Sequence, residues 1–289
     1  MSQKQAEILL ALVIISRASA MLFSKVALED LSAMNLLAWR FLLAFGLLFL
    51  ISHRYLREAS ARTWRYGAIL GLIFFLTMAC EMWALERTAA TNVALLENTA
   101  IIWTPMAASL LARRLPRPTH ILCALVAFAG VACLLLGSHR FQLAPGDLYA
   151  LWAAFLYTAA IIATDHFAKQ DPAGVLAMGI IQVGSLGLLA LLATPVTGGF
   201  ETRGQTGTWL ALAFLIVVCT GFGFTLQPLA QRYTSADRAG LFCGLNPLFT
   251  AILAAIFLGE RLTFQGYLGL ILILSAILLP LLVDKARKA

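Results

Sequence analysis

Apolar runs long enough to cross a membrane recur along the whole chain and constrain its fold more than any other feature. A helix needs about 20 such residues to cross the hydrocarbon layer of a bilayer. Only 12% of the residues are charged, against roughly 25% in a soluble domain, and no run alternates with the period of two that barrel strands show. The sequence therefore predicts an all-α, polytopic membrane protein of ten transmembrane helices. These helices are expected at roughly 5–26, 33–52, 65–85, 91–112, 119–137, 147–168, 173–194, 208–230, 236–258 and 264–283.

A stretch near the C-terminus has an earlier counterpart in the chain. Residues 241–263 form an apolar run that ends in a charged turn, and Arg261 aligns there with Arg114 at an offset of 147 residues. Further upstream, Thr234 aligns with Thr88 at an offset of 146 residues. The sequence therefore indicates an internal repeat.

The repeat divides the predicted helices into two groups of five, residues 1–142 and residues 143–289. Because five is an odd number, the second group enters the membrane from the side opposite to the first. Inverted repeats of this kind are typical of secondary transporters, whose binding sites lie near the middle of the bilayer between the repeats. We therefore expect the site of this protein to lie where the two halves meet.

Positive charges are distributed unevenly over the predicted loops. If the N-terminus is cytoplasmic, 14 Lys and Arg residues lie on the cytoplasmic side and 5 on the other. Basic residues favour cytoplasmic loops, so both termini are expected in the cytoplasm. The same bias accounts for the net charge of +7, and no basic stripe with interleaved aromatic residues indicates a nucleic-acid partner.

The end of the ninth predicted helix carries the most specific motif of the chain. The motif Gly259–Thr263 (GERLT) follows Pro247, and the first half has a degenerate copy of it at residues 112–116. Ala100 stands at the position equivalent to Pro247, and the first-half proline is Pro105. Together with ten predicted helices in two halves, these features resemble the EamA family of the drug/metabolite transporter superfamily over the whole chain.

This resemblance implies a secondary transporter of the bacterial inner membrane that exports small amphipathic metabolites by alternating access and needs no cofactor. In length and aromatic content the chain also resembles the YddG-type exporters of aromatic amino acids. The implied partners are a small-molecule substrate, the membrane lipid and, as a candidate coupling ion, the proton. Another metabolite or drug class is the alternative cargo, and a membrane-embedded lipid-modifying enzyme is the alternative activity.

Ionisable side chains inside the predicted membrane helices are the first candidates for function, because each costs about 2.5–3.5 kcal/mol to insert and as a rule faces a cavity or a partner. They are Arg17, Arg40, Glu81, Glu97 and Asp165. Glu81 and Glu97 indicate a polar solute contact or a proton site, unless they simply reach interfacial water. Each arginine is expected to contact substrate or to form a structural ion pair with Asp165 or Glu97. A structural role is favoured for Arg40, and Arg17 is undecided. Asp165 is expected at a solvated helix end.

A small zwitterion needs acids and amides for its charged ends and rings for its side chain. Trp103 and Tyr157 lie too deep in their predicted helices for the interfacial belt that Trp and Tyr usually form, which indicates a cavity or, alternatively, packing against lipid. The predicted substrate-binding residues are Glu81, Glu97, Asn98, Trp103, Tyr157, Phe224, Gln227 and Asn246.

Prolines predict breaks in three of the helices, at Pro105, Pro228 and Pro247. Proline has no N–H to donate to the carbonyl four residues earlier. A carbonyl freed in this way inside a membrane must bond to a neighbouring group or line a water-filled cavity. Asn246-Pro247 is the best candidate for a break at the site, with Thr104-Pro105 as its first-half counterpart. A kink without any solute contact is the alternative.

The sequence contains no recognisable catalytic motif. Its four histidines are dispersed and its five cysteines fall inside apolar segments without metal-ligand spacing. No GxxxxGK[ST] phosphate-binding loop is present either. We therefore expect no enzyme activity, no metal site and no ATP-driven pumping by this chain.

Overall fold

The computed structural model describes residues 1–88, 93, 96–113, 118–136, 145–202, 204–242, 245–246, 249 and 264–286, and its regular structure over these residues is entirely helical. In chain order the helices are α1 (Gln3–Ala27), α2 (Ala33–Arg57), α3 (Ala61–Arg87), α4 (Ala100–Leu111), α5 (Pro118–Leu136), α6 (Asp147–Gln170), α7 (Val175–Thr197), α8 (Thr206–Gln231), α9 (Ala236–Phe242) and α10 (Phe264–Ala286). The prediction of an all-α membrane protein is confirmed.

Six of these helices, α1, α2, α3, α6, α7 and α8, are long and apolar enough to cross a membrane. Shorter apolar stretches lie in α4, α5 and α10, at Ala100–Leu111, Ile121–Cys133 and Phe264–Ala276. The ninth predicted span lies largely outside the described residues, as do Pro247 and the motif Gly259–Thr263. The count of ten spans therefore stays a prediction.

Serine side chains define where several helices begin and where one is interrupted. The Ser2 hydroxyl accepts a hydrogen bond from the Gln5 backbone, and the Gln5 side chain bonds back to the Ser2 backbone, which completes a capping box at the start of α1. Within α1, regular helix stops at Ala18 and resumes at Ala20. The Ser19 hydroxyl donates there to the Ser16 carbonyl at 3.1 Å. Serine hydroxyls compete in this way with the helix's own hydrogen bonds, which often bends a membrane helix.

Helices of the first half pack mainly against helices of the second. Between the halves, the most extensive contacts pair α2 with α7, α1 with α8, α5 with α10, and α3 with α6 and α7. Exchanging α1–α5 with α6–α10 converts the pairs α2–α7 and α5–α10 into themselves and the pair α1–α8 into α3–α6. The core consequently lies between the two halves.

Glycines allow the closest approaches between these helices. A Cβ at Gly179 of α7 would lie 2.4 Å from the Thr225 carbonyl oxygen of α8, and a Cβ at Gly240 of α9 would lie 2.8 Å from the Thr104 Cβ of α4. Either contact would force the two backbones apart. Small residues that let backbones meet are the usual way in which membrane helices associate.

Hydrogen bonds between connecting segments join one end of the bundle. Asp30 accepts from the Gln205 backbone N–H at 2.7 Å and from the Thr208 hydroxyl at 2.5 Å. These bonds, the backbone bond most strongly, lower the pKa of the Asp30 carboxyl from its usual value. The Glu201 carboxylate accepts from the Ser32 backbone N–H at 2.9 Å. At this end the α1–α2 and α7–α8 connections are therefore tied together.

Polar side chains join the opposite end. The Arg238 guanidinium of α9 forms a largely buried ion pair with Glu7 of α1. The Thr63 hydroxyl of α3 donates to the Asp171 carboxylate at 2.5 Å. Polar contacts thus join the two halves at both ends of the bundle, on either side of the space between them.

Candidate cargo-binding site

Two adjoining cavities lie between the halves, each with a volume of ≈ 20 Å³, which is room for about one water molecule. A metabolite-sized molecule therefore fits only when the helices around the cavities move apart. The first cavity is lined by Ile14, Arg17, Glu97, Asn98, Ala100, Tyr157 and Asn246. The second is lined by Arg17, Ala20, Met21, Arg40, Met78, Glu81, Glu97, Phe224 and Asn246. Arg17, Glu97 and Asn246 line both, so the two cavities form one site.

Arg17 lies at the centre of this site, just before the interruption of α1. Its Nη1 donates to Gln227 Oε1 at 2.8 Å and to the Tyr157 hydroxyl at 3.2 Å. Its Cζ lies 4.2 Å from the centre of the Phe224 ring, within the range of a cation–π interaction. A Cβ at Gly223 would lie 2.9 Å from Arg17 Cγ, so that glycine leaves room for the arginine stem.

Arg40 is buried behind Phe224. Its Nε donates to the Thr220 hydroxyl of α8 at 2.7 Å, and its Cζ lies 6.0 Å from the Phe224 ring centre. Both arginines therefore lie within cation–π range of the Phe224 ring. Asp165, the other predicted arginine partner, forms an ion pair with Lys169 at 2.6 Å, as expected for a helix end that reaches solvent.

Glu81 and Glu97 bring two carboxylates to the same space. Each side chain is buried, and Glu81 lies within electrostatic range of Arg17 and Arg40. Glu97 lies within range of Glu81 and Arg17. Over the ranges that the structure describes, neither carboxylate forms a contact ion pair. Both side chains therefore line the cavities without a contact cation in the described part of the chain.

The residues before α4 form the first-half break. The Thr99 N–H donates to the Leu96 carbonyl at 3.1 Å, and the Ile101 N–H donates to the Asn98 carbonyl at 3.0 Å. Such bonds between residues three apart make a tight turn at Asn98 and Thr99. Helix α4, in contrast, continues through Pro105. The first-half break therefore lies earlier than predicted.

The turn in the first half aligns with the break predicted for the second half. At the offset of 147 residues, Thr99 is the counterpart of Asn246 and Ala100 is the counterpart of Pro247. Asn246 itself is helical, and Pro247 lies outside the described residues, so the Asn246-Pro247 break stays a prediction.

The structure brings most of the predicted binding residues to one place. Glu81, Glu97, Asn98, Tyr157, Phe224 and Asn246 line the cavities, and Gln227 is held by Arg17. Trp103 lies elsewhere: it is 37% exposed on the outer face of α4, with its ring 4.9 Å from the Phe155 ring. Its neighbours Ile101 and Thr104 are buried, so Trp103 is directed away from the site.

Arg17 and Arg40 were not among the predicted binding residues. The signal that identifies them is an arginine inside an apolar run, because a charge at that depth needs compensation. Sequence spacing alone did not show that both would meet Phe224, which lies far away along the chain.

The profile of the EamA-like transporter family matches residues 4–136 and again residues 144–282. An uncharacterized transporter of Archaeoglobus fulgidus is 28% identical over 287 residues, which cover 95% of this chain and 96% of the relative. A second uncharacterized transporter of that organism is 26% identical over 280 residues, covering 95% and 85%. A crystal structure with 17% identity covers 100% of both chains with a TM-score of 0.80, which shows a shared fold. The chain belongs to the EamA-like transporter family.

Proposed function

We propose that the protein is a secondary transporter of the bacterial inner membrane that exports small amphipathic metabolites, with aromatic amino acids as the first candidates. The observation that carries this proposal is the composition of the site between the two halves. Two carboxylates and two guanidinium groups lie beside aromatic rings and side-chain amides, in a space between the two halves.

This composition suits a zwitterion with a flat apolar side chain. The α-carboxylate binds at Arg17, whose guanidinium already carries hydrogen-bonded partners that fix its orientation. The α-ammonium binds between Glu81 and Glu97. The side chain of the cargo packs against Phe224 and Tyr157, where offset or edge-to-face ring contacts add about 0.5–1.5 kcal/mol beyond the area they bury.

Alternating access is supported by the packing of the helices. The most extensive contacts between the halves map onto contacts between the halves when α1–α5 are exchanged with α6–α10, as expected of two five-helix repeats, residues 1–142 and 143–289, in inverted orientation. In transporters built this way, the cargo site stays in place while one repeat moves against the other. The distribution of 14 and 5 basic residues supports ten spans with both termini in the cytoplasm.

Glu97 is also the first candidate for a coupling-proton site. It lines both cavities and lies near a second carboxylate, Glu81. Two acids at close range do not readily carry two negative charges in a medium of low polarity. One of them can therefore exchange a proton when cargo enters or leaves.

Counterflow in liposomes tests the proposal. Purified protein is reconstituted, the vesicles are loaded with unlabelled L-phenylalanine, and uptake of labelled L-phenylalanine is followed against a panel of other amino acids, sugars and nucleosides. We expect uptake above that of protein-free vesicles, with preference for amino acids that carry rings. Counterflow of a sugar or nucleoside, but of no amino acid, would reject the proposed cargo class.

A further inference from the structure

The Phe224 carbonyl in α8 lacks its usual helical partner. Pro228 lies inside the helical stretch Thr225–Gln231, and proline has no N–H to donate to the carbonyl four residues earlier. That carbonyl belongs to Phe224, the last residue of a π-helical stretch, Leu215–Phe224. In the interior of a membrane protein, such a carbonyl needs another donor.

Gln182 of α7 supplies this donor. Its Nε2 donates to the Phe224 carbonyl oxygen at 3.2 Å, and its side chain is completely buried. Gly179, one turn earlier in α7, lets the two helices approach closely enough for this bond, because a Cβ there would lie 2.4 Å from the Thr225 carbonyl oxygen.

In the described part of the chain, the Gln182 amide forms a hydrogen bond through Nε2 but none through Oε1. Gln182 Oε1 is buried, and no group in the described part of the chain donates a hydrogen bond to it. Leaving a buried acceptor unpaired costs free energy. The bond from Nε2 to Phe224 is thus the polar interaction that this buried amide makes.

The carbonyl held by Gln182 belongs to the residue whose ring forms a wall of the cavity. The Phe224 ring packs edge-on against Phe41 and Phe74, with centroid distances of 5.2 and 5.3 Å. Its face carries the Arg17 guanidinium at 4.2 Å. A shift of the turn at Phe224 therefore moves the aromatic wall and the cation that rests on it together.

We propose that Gln182 is a positioning residue of the cargo site: its side-chain N–H replaces the backbone N–H that Pro228 lacks and thereby fixes the Phe224 ring at the cavity. This role rests on the proposed function only in that the cavity receives cargo. The hydrogen-bond replacement can be tested with or without cargo.

A double-mutant cycle between Gln182 and Pro228 tests the replacement. Gln182→Met keeps the length of the side chain and removes the donor, whereas Pro228→Ala returns a backbone N–H to the helix. In liposomes, Gln182→Met should raise the half-saturating concentration of L-phenylalanine about three- to tenfold, the loss expected for one net hydrogen bond. The maximal rate should change less. In the Pro228→Ala background, the same substitution should change that concentration less than about twofold.

Gln231→Met is the matched control, because Gln231 is another buried glutamine and its amide atoms make no hydrogen bond in the described part of the chain. It should leave the half-saturating concentration unchanged. Equal losses from Gln182→Met in the two backgrounds would overturn the proposal and leave Gln182 with a packing role alone.

Melting temperatures measured without cargo make the test independent of the cargo assignment. The four proteins compared are the native protein, Gln182→Met, Pro228→Ala and the double variant. Gln182→Met should lower the melting temperature in the native background and lower it less when Pro228 is replaced. Should the wild-type protein not transport L-phenylalanine, the proposed cargo is wrong, and this comparison still decides the role of Gln182.

Should Pro228→Ala not fold, amide hydrogen exchange across residues 224–231 takes the place of the double-mutant cycle. Faster exchange in Gln182→Met supports the proposal, and unchanged exchange rejects it.

Discussion

Helices α3 and α8 bring equivalent residues to the same site, but with different chemistry. At the repeat offset of 146 residues, Glu81 corresponds to Gln227 and Met78 corresponds to Phe224. Met78, Glu81 and Phe224 line one cavity, and Gln227 holds Arg17 at its edge. One copy thus places a carboxylate where the other places an amide, and a flexible thioether where the other places a ring.

The same contrast extends to the whole site. Among the described residues that line the cavities, the charged types come from the first half: Arg17, Arg40, Glu81 and Glu97. The second half contributes neutral rings and amides: Tyr157, Phe224, Gln227 and Asn246. The repeat determines the positions at which side chains meet the cavity. Because the two copies have diverged, the side of the cavity formed by the first half is charged (the charged wall) and the side formed by the second half is uncharged (the neutral wall).

The backbones of the two helices differ as well. Helix α3 is a regular α-helix over Ala61–Arg87, whereas α8 contains the π-helical stretch Leu215–Phe224. π-Helical stretches are rare inside α-helices, and those that do occur are often found at functional sites. In α8 this stretch ends at Phe224, the residue whose ring lies within cation–π range of both arginines.

The largest effect is expected from removing the central charge of the first-half wall. Arg17→Gln removes the guanidinium that lies within electrostatic range of both Glu81 and Glu97 and leaves these buried acids with one cation fewer. We expect L-phenylalanine transport in liposomes to fall by about 100-fold. Arg17→Lys should lose less because it keeps the charge. It should still fall below native, because a shorter ammonium group does not reproduce the position of Nη1, which donates to both Tyr157 and Gln227.

The control for this experiment is Arg54→Gln, the same substitution at an exposed arginine of α2. It should transport within about twofold of the native rate, as surface substitutions usually do. An Arg17→Gln protein with comparable transport would show that the charged wall is not needed.

Moving a carboxylate from position 81 of the charged wall to position 227 of the neutral wall tests whether the two positions are equivalent. Glu81→Gln alone should reduce transport about tenfold, since it removes a carboxylate that compensates Arg17 and Arg40. Adding Gln227→Glu returns a carboxylate to the equivalent position of the other half, 2.8 Å from the arginine in the native hydrogen bond. The double variant should recover to within about threefold of native transport. A double variant as weak as Glu81→Gln would mean that the two positions are not interchangeable.

Glu97→Gln tests whether the charged wall carries a proton. The substitution preserves shape and removes the titratable group, so transport should fall about tenfold and lose its dependence on pH. The measurement is uptake from mildly acidic to mildly alkaline conditions, at equal amounts of reconstituted protein. Native rates at every pH would rule out a proton role for Glu97.

The smallest effect is expected on the neutral wall. Phe224→Leu removes a ring contact, and the half-saturating concentration of L-phenylalanine should rise about three- to tenfold. That of a cargo without a ring, such as L-alanine, should change less. Equal changes for both would indicate that Phe224 shapes the site without contacting the side chain of the cargo.

The sequence predicted those parts of this structure that depend on composition. Apolar length identified the membrane helices, and the free-energy cost of burying a charge pointed to Glu81 and Glu97. Trp103 was chosen for its depth in the helix, but depth does not determine the face, and α4 turns it outward. Arg17 remained undecided because its partners, Tyr157 and Gln227, lie 140 and 210 residues further along the chain.

Backbone irregularities were the least predictable part. The turn at Asn98 and Thr99 contains no proline or glycine, so no local signal marked it. Gly221 and Gly223 indicate a weak point within residues 215–224, but they do not specify a π-helical stretch. Both irregularities depend on contacts between the two halves of the protein. The pattern of residues along one segment does not show which residues of the other half it will contact.

Equilibrium binding of labelled L-phenylalanine to the purified protein tests the central claim most directly, because it separates cargo contact from the steps of transport. Native protein, Arg17→Gln and Trp103→Leu are compared at equal amounts of folded protein. The account predicts that Trp103→Leu binds within about twofold of native, since Trp103 lies outside the site, and that Arg17→Gln binds at least about tenfold more weakly. Native affinity in Arg17→Gln, or lost binding in Trp103→Leu alone, would contradict the placement of cargo between the charged and the neutral wall.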